Sequence, residues 1–246
     1  MRLTVLGCSG TYAGPGQACS GYLVESGGTK VLVDAGPGTF SELQKYTDVR
    51  ALDAMFLSHS HPDHWVEAPV MRNALRYVVV SEGLPVYSTD ETLGLITDVC
   101  HERVEPTYLM HSIGDGAEVR VGGITVRASR TQHPPETLGF CLDDGTSRIA
   151  YSADTGADWG FGEFGGQVDL GICEATFREG TEVASTGRDV HMTALDAGAM
   201  AKAAATRQLM ITHLLPGADV AGAVAEAESA YGAAVRVAEG GLLIDL

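Results

Sequence analysis

Residues 54–64, Ala54-Met55-Phe56-Leu57-Ser58-His59-Ser60-His61-Pro62-Asp63-His64, put four potential metal ligands within six positions, directly after a short apolar strand. Side chains of an extended chain alternate with period two, so His59 and His61 face the same side. Pro62 then turns the chain and carries Asp63 and His64 to a neighbouring point. One short segment can therefore serve two cations at the ~3.5–4 Å spacing of two-metal sites. Imidazole and carboxylate at this density are the donor set for zinc and similar ions, and a chance cluster of surface histidines is a far weaker explanation.

Four ligands cannot complete two catalytic metal sites, so further donors must come from elsewhere in the chain. His133 follows Ala128-Ser129-Arg130-Thr131-Gln132, Asp154 closes Arg148-Ile149-Ala150-Tyr151-Ser152-Ala153, His191 precedes a helical segment, and His213 follows Leu209-Met210-Ile211-Thr212. Singly, each reads as a loop residue. Together they occupy one kind of position, where a strand end presents a side chain to a common rim. His101, in a charged helical end, and His111 lack that context and read as structural.

Short β-branched runs bounded by Gly, Pro or Asp predict strands at 2–7, 21–25, 30–34, 54–58, 85–88, 118–121, 124–129, 138–142, 148–152, 170–173, 209–212 and 242–246. Helical spacing predicts helices at 64–79, 89–101, 193–205 and 220–231, with Thr193 and Asp219 as N-caps. Long groups of strands with helices inserted singly or in pairs predict an α/β architecture of four layers, two sheets packed together and flanked by helices. No Ser- or Pro-rich linker divides the chain, so residues 1–246 are expected to form a single domain. The glycine- and aromatic-rich segment Gly156–Gly166 reads as a loop, either a lid or a packed surface.

Composition narrows the function. Sixteen Lys and Arg against thirty-two Asp and Glu give a net charge of -16, which repels polyanions and excludes broad coating of nucleic acid. Five widely spaced cysteines without a C-x-x-C pair argue against a disulfide scaffold or a thiolate zinc site and suggest reduced thiols in cytosol. No uncharged apolar run approaches the ~18 residues that a membrane span requires.

In this order the motifs resemble the metallo-β-lactamase fold, and within it the phosphodiesterase branch that includes ribonuclease Z. The resemblance starts at Leu6-Gly7-Cys8-Ser9-Gly10 and Asp34-Ala35-Gly36-Pro37-Gly38-Thr39 and passes through the His59–His64 segment and His133-Pro134-Pro135-Glu136-Thr137-Leu138-Gly139-Phe140. It continues in Ser152-Ala153-Asp154-Thr155, Glu174-Ala175-Thr176-Phe177, His191-Met192-Thr193 with Ala197-Gly198, and Thr212-His213. It implies an αββα sandwich of two mixed sheets and a homodimer. It further implies two divalent metal ions, with His59, His61 and His133 on one, Asp63, His64 and His213 on the other, and Asp154 bridging. Zinc is the default, with manganese or iron as alternatives.

A diiron oxygen-reducing relative would be expected to carry Glu at the position of His61, so the resemblance implies hydrolysis. It also implies that Asp63 orients the nucleophile and that His191, held by Glu174, protonates the leaving group. The chain departs from ribonuclease Z in lacking a long Gly- and Pro-rich arm. Leu214-Leu215-Pro216-Gly217 stands where RNA-processing members present Ser, Arg and Tyr, and Trp65-Val66-Glu67-Ala68 replaces a Gly-containing stretch. The expected substrate is thus a small phosphodiester, a cyclic nucleotide foremost, with transfer RNA unfavoured and no membrane partner. Transfer-RNA 3′ processing, lactone or ester hydrolysis and non-catalytic metal binding are the alternatives. Trp65, Trp159 and Phe161 could wall the substrate, although core packing is the commoner use of such residues.

Overall fold

The structure, a computed structural model, describes residues 1–181, 187 and 189–246. The first sheet contains β1 (Arg2–Gly7), β2 (Gly21–Ser26), β3 (Thr29–Val33), β4 (Ala54–Phe56), β5 (Leu84–Ser88) and β6 (Tyr108–Ser112). The second contains β7 (Glu118–Val121), β8 (Ile124–Arg130), β9 (Leu138–Asp143), β10 (Arg148–Tyr151), β11 (Leu170–Glu174), β12 (Gln208–Thr212) and β13 (Val235–Val237), and β14 (Leu243–Asp245) returns to the first. The strand orders are β14-β1-β2-β3-β4-β5-β6 and β13-β12-β11-β10-β9-β8-β7. Each sheet is mixed. The first is antiparallel from β14 to β3 and parallel from β3 to β6, and the second is parallel from β13 to β10 and antiparallel from β10 to β7.

The helices are α1 (Thr39–Leu43), α2 (Pro62–Trp65), α3 (Glu67–Asn73), α4 (Asp90–Cys100), α5 (Ala194–Ala203) and α6 (Val220–Tyr231). Period-two alternation along the strands distributes three cores. Leu3, Val24, Val33 and Phe56 meet Phe140, Leu142, Ile172 and Met210 between the sheets. Leu32 and Met55 face Trp65, Met71 and Ile96 on one outer side, while Leu209 and Ile211 face Ala197, Ala201 and Ala227 on the other. Strands covered on both faces are apolar nearly throughout, as these are. The expected four-layer α/β sandwich is therefore present, and no described helix is long and apolar enough to cross a membrane.

Several boundaries differ from the sequence reading. The single helix expected at 64–79 is two α-helices followed by a π-helical turn at Ala74–Val78; the junction at Val66 falls where Pro69, in the first turn of α3, has no N–H to offer the Trp65 carbonyl. Strands β6 and β13 and helix α1 were not expected. β6 is exposed at three of its five positions and β13 is three residues long, so neither shows a buried apolar pattern. Thr193 and Asp219 do cap α5 and α6, the first through a reciprocal capping box with Asp196.

The loop 156–166 is packed: Trp159, Phe161 and Phe164 are buried in the outer core beside α5, and the Trp159 indole donates to Ser129 Oγ at 3.1 Å. Trp65 is likewise core, with its indole N–H on the Ser60 carbonyl at 2.8 Å. These aromatics support the sheets instead of walling a substrate.

Helices α5 and α6 approach so closely that a Cβ on Gly198 would lie 2.3 Å from the Ala227 carbonyl oxygen. Gly198→Ala is expected to force the helices apart at a cost of about 1–3 kcal/mol, read as a lower urea midpoint with unchanged slope. The cysteines are free. Burial pushes the Cys8 thiol up to about 11, aided by the Glu239 charge, and its Sγ donates to the Ala238 carbonyl at 3.1 Å. Because the thiolate is the reactive form, iodoacetamide should leave Cys8 unmodified at pH 8 and label it only as the solution becomes strongly alkaline or the protein unfolds, as peptide mass mapping would show.

Candidate metal centre

The C-terminal ends of β3, β4, β8, β10, β11 and β12 meet at one rim of the sandwich, and the chemistry-bearing side chains lie there. After β4 the chain stays extended to His61, which stands at the N-cap of α2 with Pro62 in the first turn, so Asp63 and His64 return towards His59. Gly36 leaves the space this needs, since a Cβ there would lie 1.9 Å from the Asp63 carbonyl oxygen. Asp34, Ala153 and His213 all adopt φ between 50° and 60°. Three non-glycine residues in the left-handed region at one rim mark a site where surrounding contacts impose the backbone.

Donor atoms of His59, His61, His133 and Asp154 lie within 4.8 Å of one another, as do those of Asp63, His64 and His213. Asp154 divides its oxygens between the two groups. Oδ2 is 3.6 Å from His59 Nε2 and 3.9 Å from His133 Nε2, whereas Oδ1 is 3.3 Å from His64 Nε2 and 3.4 Å from His213 Nε2. Asp63 Oδ2 is 3.3 Å from His213 Nε2 and 3.5 Å from His64 Nε2, and also accepts the Thr11 N–H at 2.8 Å. His61 Nδ1 and His133 Nε2 face each other at 3.1 Å.

Four of the imidazoles have their outer nitrogen engaged by the protein. His64 Nδ1 donates to Asp34 Oδ2 at 2.7 Å and His133 Nδ1 to the Val190 carbonyl at 2.8 Å; both partners can only accept. The Ser58 hydroxyl donates to Asp34 and the Thr176 hydroxyl to Glu174, so each accepts from the neighbouring ring, His59 Nδ1 at 3.0 Å and His213 Nδ1 at 2.8 Å. With the proton held on Nδ1, each Nε2 points a lone pair inward, the arrangement that orients histidines around a cation.

The buried His59 Nε2, His64 Nε2 and Asp154 Oδ1 have no hydrogen-bond partner. Such atoms cost about 1–3 kcal/mol each when left unpaired, and three of them gathered around the Asp154 carboxylate fit divalent cations. Without cations the carboxylates draw protons instead. Burial opposes charging of His64, yet Asp154, Asp63 and Asp34 raise it well above the ordinary imidazole range. His59, farther from these acids, is held low by burial. Burial favours a neutral Asp154, but the charges of His213 and His64 keep it ionised well below the carboxylate range.

Glu174 and His191 stand beside this cluster. Glu174, at the end of β11, is fully buried and accepts from the Thr155 N–H at 2.6 Å, the Thr176 hydroxyl at 2.5 Å and His191 Nδ1 at 3.0 Å. Burial alone would lower the His191 imidazole, but the Glu174 carboxylate outweighs it and pushes the ring up to about 9. The His191 ring is 4.8 Å from that of His133 and stacks at 5.8 Å on His213, with donor atoms also within 4.8 Å of Asp154 and His213.

All nine residues named from the sequence thus converge. His101 caps α4 in the open, and His111, exposed on β6, stacks on Tyr87 at 4.8 Å; neither approaches the rim. The sequence reading missed the supporting shell of Asp34, Ser58, Thr176 and Tyr151. Only Asp34 carried a signal, a carboxylate closing an apolar strand and followed by Gly36.

Over its length the chain is 32% identical to the probable metallo-hydrolase YhfI of Bacillus subtilis across 222 residues, 87% of each protein. The crystal structure of that metallo-beta-lactamase fold protein superposes with a TM-score of 0.89 at 27% identity, covering 99% of both chains. Ribonuclease Z of Archaeoglobus fulgidus is 27% identical over 156 residues, 62% of this chain and 51% of that one. The short form of human tRNase Z shares the fold, with a TM-score of 0.79 at 19% identity over 100% of this chain and 99% of that one. Residues 29–214 match the Beta-lactamase superfamily domain, and the chain belongs to that family.

Proposed function

We propose that this chain is a binuclear metal-dependent phosphodiesterase acting on a small phosphodiester, a cyclic nucleotide foremost. The observation that carries the reading is the Glu174–His191 pair, 3.0 Å apart beside the cluster, because none of the imidazoles around Asp154 needs it to complete a ligand set. His59, His61 and His133 would hold one cation and Asp63, His64 and His213 the other, with Asp154 between them. Zinc suits so many imidazoles, and manganese or iron the carboxylates. When bound, the ions supply an acidified water and stabilise charge growing on a phosphoryl oxygen.

The protein's own groups do the rest. Asp63, anchored by the Thr11 N–H, orients the attacking water through its remaining lone pairs. The Glu174 carboxylate favours the charged form of the His191 ring, and His191 gives its proton to the departing alkoxide, which is a poor leaving group without one. Thr155 and Thr176 fix the Glu174 carboxylate and thereby the ring orientation.

Transfer-RNA 3′ processing is the second reading, favoured by the sequence likeness to the archaeal ribonuclease Z; the net charge of -16 weighs against a polyanionic partner. A panel of bis(p-nitrophenyl) phosphate, 3′,5′- and 2′,3′-cyclic nucleotides, a lactone and precursor transfer RNA, run with zinc, manganese and iron, tests both. Turnover is expected on the small diesters. Intact diesters with every metal, alongside an opened lactone, would refute the proposal.

A further inference from the structure

We propose that the cleft between the Ala175–Thr181 and Leu214–Asp219 segments receives the nucleobase of the substrate. The inference rests on the phosphodiesterase reading and extends it to how the substrate is selected. The cleft has a volume of about 330 Å³, inside the ~300–1,000 Å³ range of small-molecule pockets. Phe177, Leu214, Leu215 and Pro216 give it apolar walls, and Arg178 lies among its lining residues.

Phe177 joins the cleft to the metal rim. Its ring meets the His191 ring edge-on at 5.9 Å, and Leu214 directly follows His213. A diester whose leaving oxygen lies at His191 therefore has its organic part beside Phe177. Arg178 is held by Glu226 at 2.9 Å through Nε and by Asp219 through Nη1. The guanidinium lies over Gly222, where a Cβ would come within 2.4 Å of Cζ, and Nη2 is the amino group used in neither pair.

This combination selects by chemistry. Apolar walls with a guanidinium among the lining groups suit a planar heteroaromatic ring, with faces to bury and ring acceptors to satisfy. An acyl chain has no use for the donor. A second phosphate would meet the two carboxylates that already balance the guanidinium, and a polyanion would meet them too.

Ala218 is half-buried in the cleft lining, so Ala218→Trp fills the space and Leu215→Ala opens it. The test compares kcat/KM for adenosine 3′,5′-cyclic phosphate with that for methyl p-nitrophenyl phosphate, which carries no base, under the same metal. Both variants are expected to lower the ratio of the first to the second by about tenfold or more, and calorimetry should show weaker binding of adenosine 5′-monophosphate. Equal losses on the two diesters in both variants overturn the cleft assignment and leave the phosphodiesterase reading standing. A parent protein that cleaves only the base-free diester also overturns it. A parent that cleaves neither diester overturns the phosphodiesterase reading, and the cleft falls with it when adenosine 5′-monophosphate fails to bind.

Discussion

Hydrolysis of a diester with an alkoxide leaving group is expected to fall about 10²–10⁴-fold in His191→Ala, the usual contribution of a positioned proton donor. With p-nitrophenolate as the leaving group the loss should be small, because that anion departs without a proton. The contrast separates proton donation from a ligand role, since His191 also lies within reach of Asp154 and His213. A ligand's removal would lower metal content and depress both substrates together. Glu174→Gln should show the same dependence on leaving group in weaker form, because the amide keeps the shape but not the charge that holds His191 protonated. Equal slowing of both leaving groups in His191→Ala, with metal lost, would show that the ring is a ligand.

Asp34 is expected to matter as much, although it lies behind the inward-facing nitrogens. Its carboxylate is fully buried and accepts from the Ser58 N–H at 2.7 Å, Ser58 Oγ at 2.9 Å, His64 Nδ1 at 2.7 Å and Tyr151 Oη at 2.8 Å. Asp34→Ala leaves these donors unpaired in the interior, a loss of about 3–5 kcal/mol by analogy with breaking a buried ion pair. It also frees the His64 ring and, through Ser58, the His59 ring, which should weaken metal affinity about 10–100-fold. Asp34→Asn retains the size and tolerates the positive φ of 57°, so it isolates the lost charge from backbone strain. Urea unfolding of chelator-treated protein and competitive metal titration measure the two effects. A parent-like unfolding midpoint for Asp34→Ala would contradict this account of the shell.

The two sheets were legible in the sequence because strands covered on both faces are written as short apolar runs between turn residues. β6 and β13 were not, since an edge strand has less to bury and less reason to be apolar. The helix expected at 64–79 breaks at Val66, shortly before Pro69, which cannot donate back across the junction, and ends in a π turn, neither of which apolar spacing registers. For the tryptophans and phenylalanine near the motifs, core packing was the favoured reading and a substrate wall the alternative. Burial of Trp65, Trp159 and Phe161 places them in the cores, a choice the composition of a segment cannot make because it does not say which face meets solvent.

Residue type and order alone determined the donor set: imidazoles and carboxylates at the ends of predicted strands, beginning with four of them in six positions. Spacing can report such closeness only within a few residues, where the local backbone fixes direction. Tertiary structure alone decided how the donors are aimed. The division of Asp154 Oδ1 and Oδ2 between two groups of histidines, the proton held on each outer Nδ1, and the meeting of Glu174 with His191 all depend on where distant strand ends arrive once two sheets have packed. Glu174 and His191 are 17 residues apart in the chain and Asp63 and His213 are 150 apart, and the burial of apolar surface between the sheets holds such pairs in register.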